Sequence, residues 1–180
     1  MTVRRRSPLR APALLAVLGL VLSACLGGEA QVCPKPLVLD QTGELVRFFP
    51  GGPTTVNNLD FQAEIKVTRM ECGYTDDLLT ILEVNMDLEI AAVRGPANTS
   101  REAELQYFVA ITDVRGTILN KQVFDVDIDL GPVGETVTEE EGIWQKFQFQ
   151  RGQSGEAYRV WTGFQMSDRD LEISRLLRAQ

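Results

Sequence analysis

Three cysteines, Cys25, Cys33 and Cys72, carry the most distinctive chemistry in this chain of 180 residues, because it contains no histidine at all. Without imidazole, Ser/His/Asp triads, Cys/His dyads, HExxH zinc sites and haem ligation by histidine are excluded by composition. A thiol can be acylated, paired into a disulfide or bound to a metal. Two sulfurs alone do not complete a tetrahedral site, so neither a metal nor a cofactor is expected. Asp and Glu together number 25, but abundance does not place two carboxylates at a catalytic separation. The glycines of FFPGGP, Gly51 and Gly52, form a turn that lacks the lysine and helix start of a phosphate loop. No catalytic residue is assigned, and an enzyme is not expected.

Cys25 closes the run LSAC, Leu22 to Cys25, behind the apolar stretch ALLAVLGLVL and the basic residues Arg4, Arg5, Arg6 and Arg10. No charge falls between Ala11 and Ala24. An apolar core of about ten residues fits a signal peptide and is too short for the ~20 that cross a bilayer as a helix. Ser23 and Ala24 are small enough for a peptidase that binds extended backbone. The arrangement resembles the lipobox of bacterial lipoprotein precursors, a resemblance carried by the first 25 residues alone. It implies that residues 1–24 are a signal peptide, that Cys25 becomes the acylated first residue, and that residues 25–32 are a lipidated N-terminus and short tether. Two or more acyl chains on Cys25 would hold the protein stably in a lipid bilayer. The stretch RRSPLR is similar to a twin-arginine export signal, but Pro8 stands where that pattern prefers a bulky apolar residue, so general secretion is expected. In such lipoproteins an aspartate after the cysteine favours inner-membrane retention. Here the residue is Leu26, which implies an outer-membrane location facing the periplasm.

Loss of the signal removes four arginines and no acid, leaving fourteen basic against twenty-five acidic residues, a net charge of −11. Such a field repels nucleic acid and anionic headgroups and suits cationic partners. In a compartment that permits disulfides, Cys33 and Cys72 are expected to be bridged, the alternative being two separate free thiols. From Leu26 to Val32 the tether reaches at most about 25 Å, so the domain sits close to its membrane.

Period-two alternation dominates the rest. Phe61, Ala63, Ile65 and Val67 alternate with polar residues, as do Leu82, Val84, Met86, Leu88 and Ile90 within Thr80 to Ala92. The segment RGPANTS, Arg94 to Ser100, reads as an exposed loop. LQYFVAIT, Leu105 to Thr112, is apolar on both faces, as a central strand is. DVRG then suits a type I turn, leading into Thr117 to Leu130, where Phe124, Val126, Ile128 and Leu130 face inward and Asp125, Asp127 and Asp129 outward. Gly131 to Gly142, with Glu139, Glu140 and Glu141 in succession, reads as an exposed loop. Ile143, Gln145, Phe147 and Phe149 share a strand face with Trp144 opposite, and RGQSGE is expected to join this strand to Ala157–Gln165 as a hairpin. Leu37 to Phe48 supplies one further strand. From Ser167 the pattern turns helical, with acids first, arginines last, and Ile173, Leu176 and Leu177 at helical spacing.

About seven strands predict an all-β, antiparallel, immunoglobulin-like β-sandwich over residues 33–166, with a short C-terminal helix over 167–180. A small β-barrel enclosing a ligand cavity is the alternative. The aspartates of FDVDIDL lie roughly 6.5–7 Å apart along a strand, too far to converge on one calcium ion. Phe48, Phe49, Trp144 and Trp161 mark a candidate interaction surface. The body loosely resembles small envelope lipoproteins with a sandwich domain. The expected function is a non-catalytic interaction or assembly module in the bacterial cell envelope, with an envelope protein as partner. Sheet edges that accept an added strand would serve that role. A carrier of a lipid or other apolar ligand is the second reading. It requires a cavity of some hundreds of Å³, whereas the first requires a filled core.

Overall fold

The computed structural model describes residues 32–75, 80–148 and 153–178. Cys25, Phe149 and the signal segment lie outside them. Among the described residues the order is β1 (Lys35–Val38), β2 (Glu44–Phe48), β3 (Leu59–Tyr74), β4 (Ile81–Arg94), β5 (Glu102–Asp113), β6 (Ile118–Asp129), β7 (Thr136–Gln148), β8 (Tyr158–Phe164) and α1 (Asp168–Arg178). The strands form two four-stranded sheets, β1-β8-β5-β6 and β2-β3-β4-β7. Neither sheet closes on itself, so the architecture is a β-sandwich and not a barrel. Every pairing is antiparallel except that of β1 with β8.

Alternation in the sequence becomes the core. Phe61, Ile65, Leu82, Met86, Leu88 and Ile90 from one sheet pack toward Tyr107, Val109, Ile111, Val160 and Phe164 from the other. Each such burial contributes about 1.5–3 kcal/mol relative to an exposed side chain. β3 continues past Val67 because a bulge between Val67 and Arg69 shifts its register on β4. One extra residue exchanges the two faces of a strand. The inward set therefore changes from Phe61, Ala63, Ile65 and Val67 to Met70, Cys72 and Tyr74, all packed on the core. β5 lies between β8 and β6, and every residue from Tyr107 to Thr112 is buried, as its two-sided apolar sequence requires.

Four expectations need correction. Leu37 to Phe48 is two strands in different sheets. Thr42 breaks the run by bonding back to the Leu39 carbonyl, through its amide at 2.7 Å and its hydroxyl at 3.0 Å. Gly131 to Gly142 is not all loop, since β7 begins at Thr136 and pairs with β4 as far as Val93. A long neighbour offers backbone partners along its whole length, and an edge strand tolerates charge better than a central one. The β7–β8 hairpin does not exist, because β7 pairs with β4 while β8 joins β5 and β1 in the opposite sheet. Asn98 is buried, not exposed: its side-chain amide donates to Asp60 at 2.8 Å and to the Glu102 carbonyl at 3.0 Å.

The helix starts as its sequence predicts. The Asp170 amide donates to the Ser167 hydroxyl at 3.2 Å and the Ser167 amide donates to the Asp170 carboxylate at 3.3 Å, a reciprocal cap on the first turn. Arg47 of β2 pairs with Asp170 at 3.5 Å, lies over the Phe61 ring at 5.1 Å, and donates to the Glu104 carbonyl at 2.8 Å. One side chain thus fastens α1 to both sheets. Ile173 is buried, but Leu176 and Leu177 are exposed, so the apolar stripe is narrower than the spacing suggested.

The β5–β6 turn is held by Asp113, whose carboxylate accepts from the amides of Arg115 at 2.9 Å and Thr117 at 2.8 Å. The Thr117 amide bond is the main cause that holds Asp113 below the ordinary carboxylate range. A lowered carboxylate stabilises the fold above its unfolded value and loses that effect as pH falls through the folded one. Protection of the Thr117 amide from hydrogen exchange is therefore expected to persist below the usual aspartate range and then vanish. Asp113→Asn should abolish the pH dependence.

Candidate interaction surface

Cys33, just before β1, is bonded to Cys72 in β3 with Cα atoms 5.7 Å apart, across a sequence separation of 39. The bridge ties the start of the domain, next to the β1-β8 edge, to the opposite sheet. Gly155 supports the same segment: a Cβ there would run into the Val32 carbonyl and lie 3.0 Å from the Cys33 carbonyl carbon and the Pro34 nitrogen.

The four aromatics do not form one surface. Phe48 and Phe49 lie at the end of β2, with Phe48 half-buried and Phe49 exposed. Trp144 in β7 projects from the outer face of the β2-β3-β4-β7 sheet and is 60% exposed. Trp161 in β8 is half-buried on the outer face of the other sheet, where its indole N–H donates to the Thr112 hydroxyl at 3.0 Å. The two tryptophans therefore look away from each other across the sandwich.

Around Trp161 the outer face of the β1-β8-β5-β6 sheet is a groove of about 470 Å³. Its apolar lining includes Leu39, Phe108, Ala110, Ile118, Trp161 and Leu171. Phe108 and Ala110 are the outward residues of β5, placed there by the strand whose other face carries Tyr107, Val109 and Ile111. Exposed Val123 is the cross-strand neighbour of Phe108 and extends the apolar area. Lys121 borders the groove, with its ammonium 4.7 Å above the Phe108 ring and 2.8 Å from the Gln165 amide oxygen.

Farther along the same strands the character reverses. Gln106 faces Asp125, Glu104 faces Asp127, and Glu102 faces Asp129. Gln106 donates to Asp125 at 2.6 Å. The other two pairs set carboxylates directly opposite each other, and like charges so placed oppose folding. Among the described residues, none of Glu102, Glu104, Asp127 and Asp129 is in an ion pair. A second hollow, lined by Arg47, Glu104, Gln106, Asp125, Asp127 and Gln165, meets the apolar groove at Gln165.

Asp125, Asp127 and Asp129 are exposed, as period-two alternation expects, and of the four candidate aromatics Trp161 is the one on this face. Phe108, Ala110, Ile118 and Leu39 were missed as the lining of an open groove, whose floor is the buried pair Phe108 and Ala110. The signal was present in LQYFVAIT, since a strand apolar on both faces must cover something on each. Chemically, the face offers an apolar seat and an anionic one in continuity; no group of three or more cysteine or acidic side chains among the described residues is arranged to hold a metal ion. Compared with known proteins, the chain matches no family model, no curated protein and no solved structure.

Proposed function

We propose that this chain is a membrane-anchored periplasmic lipoprotein that works as a non-catalytic interaction or assembly module in the bacterial cell envelope. The observation that carries the reading is an apolar groove open on the outside of a sandwich whose interior is packed with side chains. A carrier that encloses its ligand between the sheets is disfavoured, because there Leu82, Ile90, Ala92, Ala103 and Phe164 leave essentially no exposed surface. The anchor is Cys25, on the lipobox resemblance of Leu22 to Cys25, and the location is the outer membrane facing the periplasm, on Leu26. The finer fold reading is immunoglobulin-like, supported by two packed four-stranded sheets with connections that cross between them.

Crosslinking in intact cells, followed by purification of the tagged chain and mass spectrometry of proteins and extracted lipids, tests the role. A stoichiometric envelope protein is the expected result; a bound apolar small molecule without one overturns it in favour of a carrier. Cys25→Ala tests the anchor. The mature, membrane-bound form is expected to disappear from the membrane fraction, and unchanged fractionation would refute acylation at this position.

A further inference from the structure

The outer face of the β1-β8-β5-β6 sheet is divided along its strands. At one end lie Trp161, Phe108, Ala110 and Ile118, and at the other lie Glu102, Glu104, Asp127 and Asp129. From Ala110 to Glu102 is eight residues of strand, about 27 Å. We propose that this face receives a protein segment with apolar residues at one end and basic residues at the other, the former seated at Trp161 and the latter over the opposed carboxylates. The proposal rests on the assembly-module reading and supplies the chemistry of its partner.

Charge complementarity selects this occupant. Two carboxylate pairs sit directly across strands, none of the four in an ion pair among the described residues, and a lysine or arginine bridging each pair would turn repulsion into attraction. Of the two cations beside the face, Arg47 is engaged by Asp170, the Glu104 carbonyl and the Phe61 ring, and Lys121 is held by Gln165 and the Phe108 ring. A second copy of the chain would bring the same carboxylates against these. An anionic lipid surface or a fatty acid carboxylate would be repelled by the same end of the face. A basic end alone would leave the apolar groove wet, so both halves of the segment are required.

The chain's two tryptophans are Trp144 and Trp161, so Trp144→Phe on the opposite sheet leaves Trp161 as the single reporter in the full chain. The probe is a peptide of about ten residues, enough to span the face when extended, with leucines in one half and lysines in the other. A saturable blue shift of Trp161 fluorescence is expected. Glu104→Gln with Asp127→Asn should weaken binding about ten-fold and flatten its salt dependence. That double variant removes a repulsive pair and should melt no lower than its parent, so lost binding would not reflect lost folding. Equal binding by a peptide with glutamates for lysines, equal binding by one with serines for leucines, or unchanged affinity in the double variant overturns the proposal. So does a shift produced by palmitate and not by the peptide. Photoreactive residues at positions 123 and 144 separate this proposal from the broader one in intact cells. A partner captured from position 123 supports both. A partner captured only from position 144 overturns this face and leaves the assembly role standing, and none from either overturns both.

Discussion

Replacing Cys33 and Cys72 together with serine should lower the free energy of unfolding by about 4 kcal/mol, the loop-closure value for a ring of this length. The bridge joins residues 39 apart, and its removal frees that segment in the unfolded chain. A urea titration should show a lower midpoint and a steeper slope, because an uncrosslinked chain exposes more surface when it unfolds. The effect should also be local. β1 has four residues and pairs only with β8, so without the bridge its amides are expected to exchange early, while those of β4, paired on both sides, exchange with global unfolding. A midpoint shift equivalent to less than about 1 kcal/mol would mean that packing alone holds the N-terminal segment, contrary to the loop-closure account.

Tyr107→Ala should be comparably severe, at about 3–5 kcal/mol by analogy with other buried aromatic truncations. The ring is 1% exposed and stacks on Phe124 at a centroid distance of 5.2 Å. Its hydroxyl donates to the Glu141 carboxylate of β7 at 3.2 Å. Tyr107 therefore links a central strand of one sheet to the edge strand of the other. Tyr107→Phe separates the two contributions: it keeps the ring and should cost about 1.5–3 kcal/mol, the range for a hydrogen bond to a charged group. Burial, then the nearby Glu141 charge, raises the phenol above the usual tyrosine range. A raised group stabilises the fold fully below its unfolded value, and the effect is lost as pH climbs above it. Wild-type stability should fall on the alkaline side of about pH 10, the ordinary tyrosine value, and Tyr107→Phe should flatten that limb in chemical unfolding measured at several pH values. An unchanged alkaline limb would place the cause elsewhere.

Legibility in the sequence followed the burial of side chains. Where one face of a strand enters the core, as at Leu82 to Ile90 and Phe124 to Leu130, period two was unambiguous and the structure follows it. The β5–β6 hairpin was readable because Asp113 and Gly116 mark a local turn. The failures share a different physics. Thr136 to Gly142 is strand because its backbone pairs with β4, and side chains such as Glu139 and Glu140 give no sign of that. The bulge at Val67 is likewise a backbone event, visible in sequence only as a change of parity. Pairing across sheets was the least accessible of all: nothing in RGQSGE says whether the chain turns back beside β7 or crosses to β5. The candidate face was half legible for the same reason. Asp125, Asp127 and Asp129 alternate outward on their strand, but Glu102 and Glu104 precede the apolar run that marks β5, and the opposition of Glu104 to Asp127 is a matter of register.

The disulfide also fixes where a mechanical load would enter the domain. Tension applied through residues ahead of Cys33 does not have to pass along β1, because the sulfur bridge hands it directly to Cys72 in β3. β1 could be peeled from β8 one hydrogen bond at a time, whereas β3 is paired with β4 from Phe61 to Tyr74. A tug on the N-terminus is thereby diverted from the weakest ribbon of the sandwich into one of its longest ladders.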